Sequence, residues 1–374
     1  MKRILPILIC ITLLYSCKEE TVSDTTEEKS VIANGYAKGF EISRLASGGL
    51  EIRLLNLETE QRETLRTLVV STDSSEAQAA DTYFAQPVSE LACLSTTHIA
   101  MIDIVGAIET VQGTAFAEYV RNTNAVALIE TGEIVTLSGS EEIEFELLLD
   151  LNPELFLVYP YGQTDYTLYE NNGIPCIPVS EYLEEHPLGR AEWIKVIGAL
   201  TGHFNESLEE FDRIEQEYIQ LTQMVQDIPP DARPSIFTGS HSNGQWFAPP
   251  GNSFIGQFIR DAGGTYLFED YIQTGNVELQ FEELFDLAYD VDYWGKVVFE
   301  EGELTLESIR ANDPRYAELN AFKSGQVMYC NASETDYFGD AIVEPQAILA
   351  DLIAILHPKL LPDYTFHYFQ QVNK

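Results

Sequence analysis

From residue 88 onward, short runs of apolar residues alternate with stretches whose apolar residues recur at helical spacing. The apolar runs cover 90–94, 125–129, 155–159 and 174–179. Strands separated by helical stretches are typical of βαβ units, in which the strands pair in parallel and helices cover the sheet. The alternation therefore predicts an α/β fold with parallel sheets.

A longer helical pattern interrupts this alternation between 205 and 226. Its apolar residues follow helical spacing, with charged residues between them: Leu208, Phe211, Ile214, Tyr218, Leu221 and Val225. About 22 residues at ~1.5 Å per residue make a rod of about 33 Å, and Pro229 and Pro230 end it. The α/β alternation then resumes. The sequence thus predicts two lobes, 34–203 and 229–374, joined by a connecting helix over 204–228.

The two predicted lobes contain a similar short segment. FELLLDL at 145–151 and FEELFDL at 281–287 agree at five of seven positions, and each leads into a further run that is predicted to be a strand. Each segment is predicted to be a short helix that feeds this strand. We interpret the pair as a weak internal repeat, which favours two lobes of similar plan.

The first residues are predicted to be a secretion signal. The almost wholly apolar run 4–16 is shorter than the roughly 20 residues that a membrane-spanning helix needs. It ends in LYSC at 14–17, which resembles the lipobox of bacterial lipoproteins; a plain cleaved signal with an incidental cysteine is the alternative. We expect 1–17 to be a lipoprotein signal that ends at a lipidated Cys17, and 18–33 to be a flexible tether.

The segment after the tether differs from the rest of the chain. Residues 36–57 predict two strands around the turn sequence ASGG at 46–49. We expect a β extension over 36–71 that precedes the α/β part of the N-terminal lobe. The sequence indicates no role for it.

Charge limits the choice of partner. The chain has 374 residues, and 21 Lys and Arg against 60 Asp and Glu give a net charge of −39. Such a surface repels phosphate backbones and anionic lipid headgroups, so we expect no nucleic-acid partner and contact with a membrane only through the lipid anchor. Cys93, Cys176 and Cys330 lack metal-type spacing and are expected to be buried and unpaired.

Several motifs together resemble one known family. They are LSTTHIAMID at 94–103 followed by Gly106 and Ala107, LNPEL at 151–155, GIP at 173–175, PLGRAEWI at 187–194 and DAGG at 261–264. In order and spacing they are similar to class III substrate-binding proteins, which serve ABC importers of ferric siderophores, haem and cobalamin. The resemblance runs from about residue 87 to the end of the chain, and the segment 36–71 lies outside the common pattern.

The resemblance implies a fold and a function. It implies two Rossmann-like lobes joined by one long helix, with the ligand bound in the cleft between them. It further implies a monomer without a cofactor, which lies in the cell envelope, facing the periplasm or the outer surface. This protein would capture a metal chelate (a ferric siderophore or haem) or a corrinoid and deliver it to an ABC permease dimer.

The repeat contains the candidates for permease docking. In the family, one glutamate on each lobe projects toward arginines of the permease, and Glu146 and Glu282 match that position. A carboxylate in the first turn of a helix also complements the helix dipole without any partner, by about 0.3–1 kcal/mol. Both interpretations remain open at this point.

Ligand contacts are expected in loops that follow the carboxyl ends of parallel strands. The candidates there are polar, aromatic or cationic: Thr97, His98, Tyr119, Arg121, Tyr159, Tyr161, His241, Trp246, Tyr293 and Trp294. Aromatic faces suit a large flat chelate or macrocycle, and a guanidinium pairs with an anionic group. Alternatively, His98 bonds within its own loop, and Tyr293 and Trp294 belong to the core.

Arg190 and the scarcity of cations bear on the ligand. Arg190 is expected to open a helix, where the dipole disfavours a cation, so it should have a fixed partner, either a carboxylate of its own lobe or the ligand. Only Arg121 and Arg190 are cations in suitable segments. This favours a neutral or zwitterionic ligand, such as a corrinoid, over a strongly anionic siderophore.

Other classes of protein are less well supported. Capture of a bare metal ion needs about four converging ligands, and the six histidines show neither HxH nor HExxH. GxSxG, GxGxxG and a phosphate-binding loop are also missing from the sequence, so we expect no enzyme, with an anchored hydrolase as the alternative. KEE at 18–20 resembles an acidic export signal, and a surface-displayed capture lipoprotein without its own permease is a further alternative.

Overall fold

The computed structural model describes residues 29–59, 61–138, 143–160 and 165–373. The predicted lipidation site Cys17 and the ligand candidate Tyr161 lie outside these residues. Within the described ranges, every helix is too short or too polar to cross a membrane. Cys93, Cys176 and Cys330 are buried free thiols, as predicted.

The β extension is a five-stranded sheet. Its strands are β1 Ser30–Ile32, β2 Phe40–Arg44, β3 Leu50–Leu55, β4 Thr64–Val70 and β5 Thr82–Phe84. They follow the order β1-β2-β3-β4-β5, antiparallel except for the parallel pair β4 and β5. The sheet is longer at both ends than the predicted 36–71, and β1 lies within the segment that was predicted to be a tether.

The N-terminal lobe is built around a parallel sheet in the order β10-β9-β6-β7-β8. Its strands are β6 Leu91–Cys93, β7 Val111–Thr114, β8 Val135–Thr136, β9 Leu155–Val158 and β10 Cys176–Pro178. Its helices are α1 Thr96–Ile104, α2 Thr123–Thr131, α3 Phe145–Leu151, α4 Thr167–Glu170, α5 Pro187–Ala191 and α6 Ile194–Thr201.

One element of this lobe was predicted wrongly. The apolar run 125–129, expected to be a strand, lies within helix α2. The Asn122 side chain accepts from Ala125 N at 3.0 Å at the start of this helix, and Gly132 with φ 80° ends it. A run of five apolar residues does not distinguish a strand from one face of a helix, whereas a cap on each side does.

A single long helix, α7 Phe204–Val225, follows the N-terminal lobe. It packs against α6 of that lobe and against α12 of the next. Its buried stripe includes Phe211, Ile214 and Tyr218, at the predicted helical spacing. The Tyr218 hydroxyl donates to Asp261 Oδ2 of the C-terminal lobe at 2.7 Å, which fixes this face of the helix to both lobes.

The C-terminal lobe contains a second five-stranded sheet, in the order β14-β11-β16-β17-β18, and a three-stranded sheet, β12-β13-β15. The strands are β11 Ser235–Thr238, β12 Ser240–Ser242, β13 Gln245–Ala248, β14 Thr265–Tyr266, β15 Val277–Gln280, β16 Tyr293–Val298, β17 Val327–Asn331 and β18 Phe369–Gln371. The helices are α8 Phe254–Asp261, α9 Phe281–Ala288, α10 Leu306–Asn312, α11 Asn320–Ser324 and α12 Pro345–Leu356.

Four strands of each lobe follow the same plan. The order β7-β6-β9-β10 in the first lobe corresponds to β14-β11-β16-β17 in the second, and all of these neighbours are parallel. The repeated segments 145–151 and 281–287 form α3 and α9, which lead into β9 and β16 at corresponding positions. The predicted fold class, two parallel α/β lobes with a connecting helix and a β extension, is confirmed.

The β extension is joined to the lobe by buried carboxylates. Glu192, which is fully buried, accepts backbone N–H groups from Gly35, Tyr36 and Ala37 at 2.7–2.9 Å and pairs with Lys195 Nζ at 2.6 Å. A buried charge is stable only when its hydrogen-bonding capacity is satisfied. These four donors satisfy Glu192 and hold the extension against α5 and α6.

We expect Glu192→Gln to lower the free energy of unfolding by about 3–5 kcal/mol. The neutral amide leaves Lys195 buried without its partner and turns an NH₂ group toward N–H donors. Denaturant unfolding of the purified variant measures the effect. Glu206→Gln, at an exposed position in the first turn of α7, is the control and should change stability by no more than about 1 kcal/mol, the favourable interaction of its charge with the helix dipole. An equally small change at Glu192 would contradict the role of this carboxylate.

Candidate functional site

The carboxyl ends of strands from both lobes face one another across a cleft. Ser95 and Thr96 follow β6, Tyr159 follows β9, Phe299 follows β16 and Phe338 lies in the segment that follows β17. These residues line two neighbouring cavities, a large cavity of about 1080 Å³ and a small chamber of about 410 Å³. The large cavity and the small chamber share Ser95, Thr96, Tyr159 and Phe338. The two cavities therefore form one continuous binding site in the cleft.

The large cavity is walled by aromatic side chains from both lobes. They are Phe116, Tyr119, Phe145, Tyr159, Tyr166, Tyr169, Phe299 and Phe338. Phe299 and Phe338 of the C-terminal lobe stack with ring centroids 5.6 Å apart and planes 2° apart, yet they are 63% and 50% exposed. Two large apolar rings so exposed at the wall of a cavity are typical of a surface that a ligand covers.

Among the residues that the structure describes, one cation and one carboxylate from opposite lobes line the large cavity. Arg121 Nη1 donates to the carbonyls of Glu118 at 2.7 Å and Val120 at 3.2 Å, so its own loop holds it. Burial and the neighbouring Asp340 raise the pKa of Asp336 to about 6, and the positive charge of Arg121 opposes this rise. The described lining of the large cavity thus carries little net charge.

The small chamber contains Arg190 of α5. The guanidinium lies 4.1 Å from the ring centroid of Phe254, which covers it from the C-terminal lobe. Arg190 Nε has no hydrogen-bond partner in the described part of the chain, and neither carboxylate oxygen of the buried Glu181 is hydrogen-bonded to Arg190. Burial raises the pKa of Glu181 to about 6, and the charge of Arg190 opposes this rise.

Arg190 is therefore suited to bind an anionic group. A planar guanidinium that is held by an aromatic ring presents its N–H groups as a preorganised fork for a carboxylate or a similar anion. The expected buried carboxylate of the same lobe is Glu181, whose charge stabilises the charged form of Arg190 without a hydrogen bond between the two side chains. Arg190 also lies in the last turn of α5, not in the first turn as expected, so the helix dipole favours it there.

The lobes are in contact beside the cavities. Thr96 Oγ1 of the N-terminal lobe donates to the Phe338 carbonyl at 2.5 Å. Asn122 Nδ2 donates at 2.9 Å to Asp103 of its own lobe and at 2.9 Å to Asp340 of the other. Polar contacts thus join the two lobes across the cleft.

Comparison with known proteins decides the family. The sequence profile described as "Periplasmic binding protein" matches residues 91–334, well over half of the chain. The chain belongs to this family. The resemblance to class III substrate-binding proteins that the motifs indicated is confirmed.

Individual relatives agree with this assignment. An uncharacterized lipoprotein of Methanocaldococcus jannaschii is 25% identical over 298 residues, 77% of this chain and 69% of that protein. Among solved structures, a periplasmic heme binding protein from Pseudomonas aeruginosa is similar with a TM-score of 0.59 and 14% identity, covering 77% of this chain and 99% of that chain. An ABC transporter substrate-binding protein from Listeria monocytogenes is similar with a TM-score of 0.57 and 13% identity, and the match covers 72% of this chain and 99% of that chain. At these identities the structures show a shared fold.

Four predicted ligand residues of this binding protein line the cleft. Tyr119, Arg121 and Tyr159 line the large cavity, and Tyr159 and Thr97 line the small chamber. Each lies in or directly after a loop at the carboxyl end of β6, β7 or β9. Their contact with a ligand remains a prediction, because the structure contains none.

Three predicted ligand residues are corrected to core residues. His98, Trp246 and Trp294 are completely buried and line neither cavity. Burial lowers the pKa of His98 to about 3, so this side chain is a neutral part of the α1 packing. Trp294 packs on Phe237 with ring centroids 5.5 Å apart.

Two further predicted residues, Tyr293 and His241, lie away from the cleft. Tyr293 and Trp294 begin β16 instead of ending it, so they lie at the opposite edge of the sheet from the site. The Tyr293 hydroxyl donates to the Ile355 carbonyl at 3.4 Å. His241 lies in β12, exposed and stacked on Phe281 at 4.1 Å, and lines neither the large cavity nor the small chamber.

Several residues of the site were missed. They are Phe116, Tyr182, Phe254, Phe299, Asp336, Tyr337 and Phe338. Asp336, Tyr337 and Phe338 follow β17 by a few residues, so recognising VMYCN at 327–331 as a strand would have found them. Among the described residues, no group of three or more His, Cys, Asp or Glu is placed to hold a metal ion.

The pKa of Asp336 gives a test of electrostatics in the large cavity. Its folded pKa lies above the ordinary value of 3.8, so its contribution to stability is complete below about pH 4 and is lost as the pH rises through about 6. Asp336→Asn stays neutral throughout. We expect the variant to be more stable than the wild type above pH 6, by about 1–2 kcal/mol, and equal to it at pH 4.

Thermal unfolding across pH 4 to 8 measures this difference. Asp290→Asn, at an exposed position after α9, is the control and should run parallel to the wild type at every pH. A constant difference between Asp336→Asn and the wild type across the range would show that Asp336 does not titrate near pH 6.

Proposed function

We propose that this binding protein captures a metal chelate, such as a ferric siderophore or haem, or a corrinoid, between its two lobes. The observation that carries the proposal is the large cavity of about 1080 Å³ with aromatic walls from both lobes. A cavity of this size accommodates a ligand larger than most metabolites, and stacked rings suit a flat chelate or macrocycle. The similar structure from Pseudomonas aeruginosa is that of a heme binding protein.

The charges in the cleft favour a ligand with little net charge. Arg121 and Arg190 are balanced by Asp336 and Glu181, and the protein as a whole carries −39. A trianionic chelate would meet two guanidinium groups and a repulsive long-range field. A corrinoid, or a chelate with one or two carboxylates, fits this balance better.

We further propose that the protein is anchored by lipid at Cys17 and delivers its ligand to an ABC importer. The relative from Methanocaldococcus jannaschii is named a lipoprotein, and the similar Listeria monocytogenes protein is an ABC transporter substrate-binding protein. Glu146 and Glu282 are exposed in the first turns of α3 and α9 and are proposed to dock on the permease. The anchor would place the protein in the cell envelope.

The test is a titration of the ligand-free protein with a defined panel. Haemin, ferrichrome, a ferric tris-catecholate and cyanocobalamin are added in turn, and binding is followed by quenching of tryptophan fluorescence and by the absorbance of the coloured compound. We expect saturable 1:1 binding without turnover for at least one compound, with the tris-catecholate weakest. Failure of all four to bind would overturn the proposal, and conversion of a compound would indicate an enzyme.

A further inference from the structure

A third cavity, of about 360 Å³, lies in the C-terminal lobe beside the small chamber. We name it the side pocket. The two spaces share five lining residues, which are Phe254, Phe258, Tyr337, Phe338 and Ile348. The side pocket therefore adjoins the small chamber directly.

The side pocket lies where β11, β16 and β17 approach helices α8 and α12. Thr238 and Gly295 from adjacent strands, Met328, Ile255 and Leu352 contribute to its lining. Gly295 has no side chain, and a Cβ there would lie 3.1 Å from Thr238 Cγ2 and 3.2 Å from Met328 Cε. Any larger residue at this position would press on these two side chains. Gly295 thus lets Thr238 and Met328 of the neighbouring strands approach each other in the lining of the side pocket.

The walls of the side pocket are mostly apolar. Phe247, Pro249, Ile259 and Met328 belong to them, and the polar residues Thr238, Ser240, Asn276 and Lys296 are in the minority. The ammonium group of Lys296 lies 4.2 Å from the ring centroid of Trp294, which is not part of the lining. An apolar group placed against these side chains gains van der Waals contacts with them, and its removal from water is favourable. The preferred occupant is therefore a hydrocarbon group.

Phe254 connects the side pocket with the anion-binding group of the small chamber. It lines both spaces, and its ring lies 4.1 Å from the guanidinium of Arg190. An anionic group at Arg190 would thus have an apolar cavity within a few atoms of it. We infer that the side pocket binds an aliphatic chain that the ligand carries next to an anionic group, an inference that rests on the proposed function. The substrate is then an amphiphilic chelate.

The experiment uses the full folded protein. Fatty acids serve as probes, because they carry an aliphatic chain and an anionic group but no chelating part. Isothermal titration calorimetry compares dodecanoate with butanoate, which has the same carboxylate and a much shorter chain. We expect dodecanoate to bind 1:1, at least tenfold more tightly than butanoate, and with a negative heat-capacity change because apolar surface is buried. Equal affinities for the two acids would overturn the inference.

Filling the side pocket tests its location. Ile255→Trp is expected to weaken dodecanoate binding at least tenfold and to leave butanoate unchanged, and Leu352→Phe gives a second variant if the first does not fold. The control is Ile219→Trp, at an exposed position on α7. If the folded variants bind dodecanoate as tightly as the wild type does, the aliphatic chain binds outside the side pocket and the inference is overturned.

The chelate panel on the same preparations separates the two proposals. If the wild-type protein binds a chelate but binds dodecanoate no better than butanoate, only the inference about the side pocket is overturned. If the protein binds no chelate but binds dodecanoate, and Ile255→Trp weakens that binding, the inference about the side pocket is supported and the proposed function is overturned.

Discussion

Arg190→Gln is expected to weaken ligand binding by roughly 10- to 100-fold. The guanidinium lines the small chamber, Phe254 holds it from the opposite lobe, and its Nε has no internal partner in the described structure. A hydrogen bond to a charged group contributes about 1.5–3 kcal/mol, and 1.4 kcal/mol corresponds to a tenfold change in affinity. The titration uses whichever compound of the panel binds the wild-type protein.

Two other variants define what is lost. Arg190→Lys retains the charge but not the planar fork or the stacking on Phe254, so its affinity should lie between those of the wild type and Arg190→Gln. Arg310→Gln is the matched control, because that guanidinium also lies over an aromatic ring, 5.4 Å from the Phe322 centroid, but is exposed on α10 and lines neither cavity. It should weaken binding by less than about threefold, which is below 1 kcal/mol.

A change in stability must be distinguished from a change in binding. The charge of Arg190 lowers the pKa of Glu181, so Arg190→Gln should raise it above about 6. A higher folded pKa means that stability is lost as the pH rises, so the variant should be closest to the wild type near pH 5 and least stable near pH 8. In Arg190→Gln/Glu181→Gln this pH dependence should disappear while binding stays weak. Recovery of binding in the double variant would show that Arg190 acts only on stability.

The fold could be predicted because its signals are periodic and local. The spacing of Phe211, Ile214 and Tyr218 determines which face of α7 is buried, whatever the lobes contribute. The repeated segments 145–151 and 281–287 form helices that precede corresponding strands, β9 and β16, in the two lobes, because similar local sequences fold alike. The segment 125–129 was predicted wrongly because a run of five apolar residues is too short to show either helical or strand periodicity.

The site was harder to predict because it depends on where strands end. A shift of a few residues in the boundary of β16 moved the expected contacts to Tyr293 and Trp294 and away from Phe299. His98 follows Thr97 directly, but successive helical residues point in different directions, so one lines the small chamber and the other is buried. Contacts such as Phe254 on Arg190 join residues of different lobes, and no local pattern encodes them.

The two proposed docking glutamates differ in their surroundings. Glu146 is exposed, and Glu282 forms an ion pair with Arg315 at 3.3 Å while its side chain stays 79% exposed. Arg315 also pairs with Asp313 at 2.7 Å and lies 4.1 Å from the Phe281 ring centroid. Because Arg315 has these other contacts, a permease arginine could replace it at Glu282 at little cost, since exposed pairs contribute only about 0–1 kcal/mol.

The double charge reversal Glu146→Lys/Glu282→Lys is expected to reduce importer-dependent uptake at least tenfold and to leave ligand affinity unchanged. Two negative charges become positive at two separate surfaces, a change of four units in net charge, so attraction to two permease arginines becomes repulsion. Uptake of the bound chelate by cells or by vesicles that contain the importer measures the first quantity, and the fluorescence titration measures the second. Unchanged uptake would mean that both carboxylates serve only the dipoles of their helices.

A matched control removes the effect of net charge. Asp150→Lys/Glu283→Lys changes the charge equally at exposed positions on the same two helices, α3 and α9. If docking depends on the particular carboxylates, this control takes up ligand like the wild type, whereas an effect of the overall negative surface would reduce uptake in both double variants. Arg315→Ala sharpens the comparison further, because it frees Glu282 without altering its position on α9. It should support uptake at least equal to that of the wild type, and a loss of uptake would instead assign the docking contact to Arg315 itself.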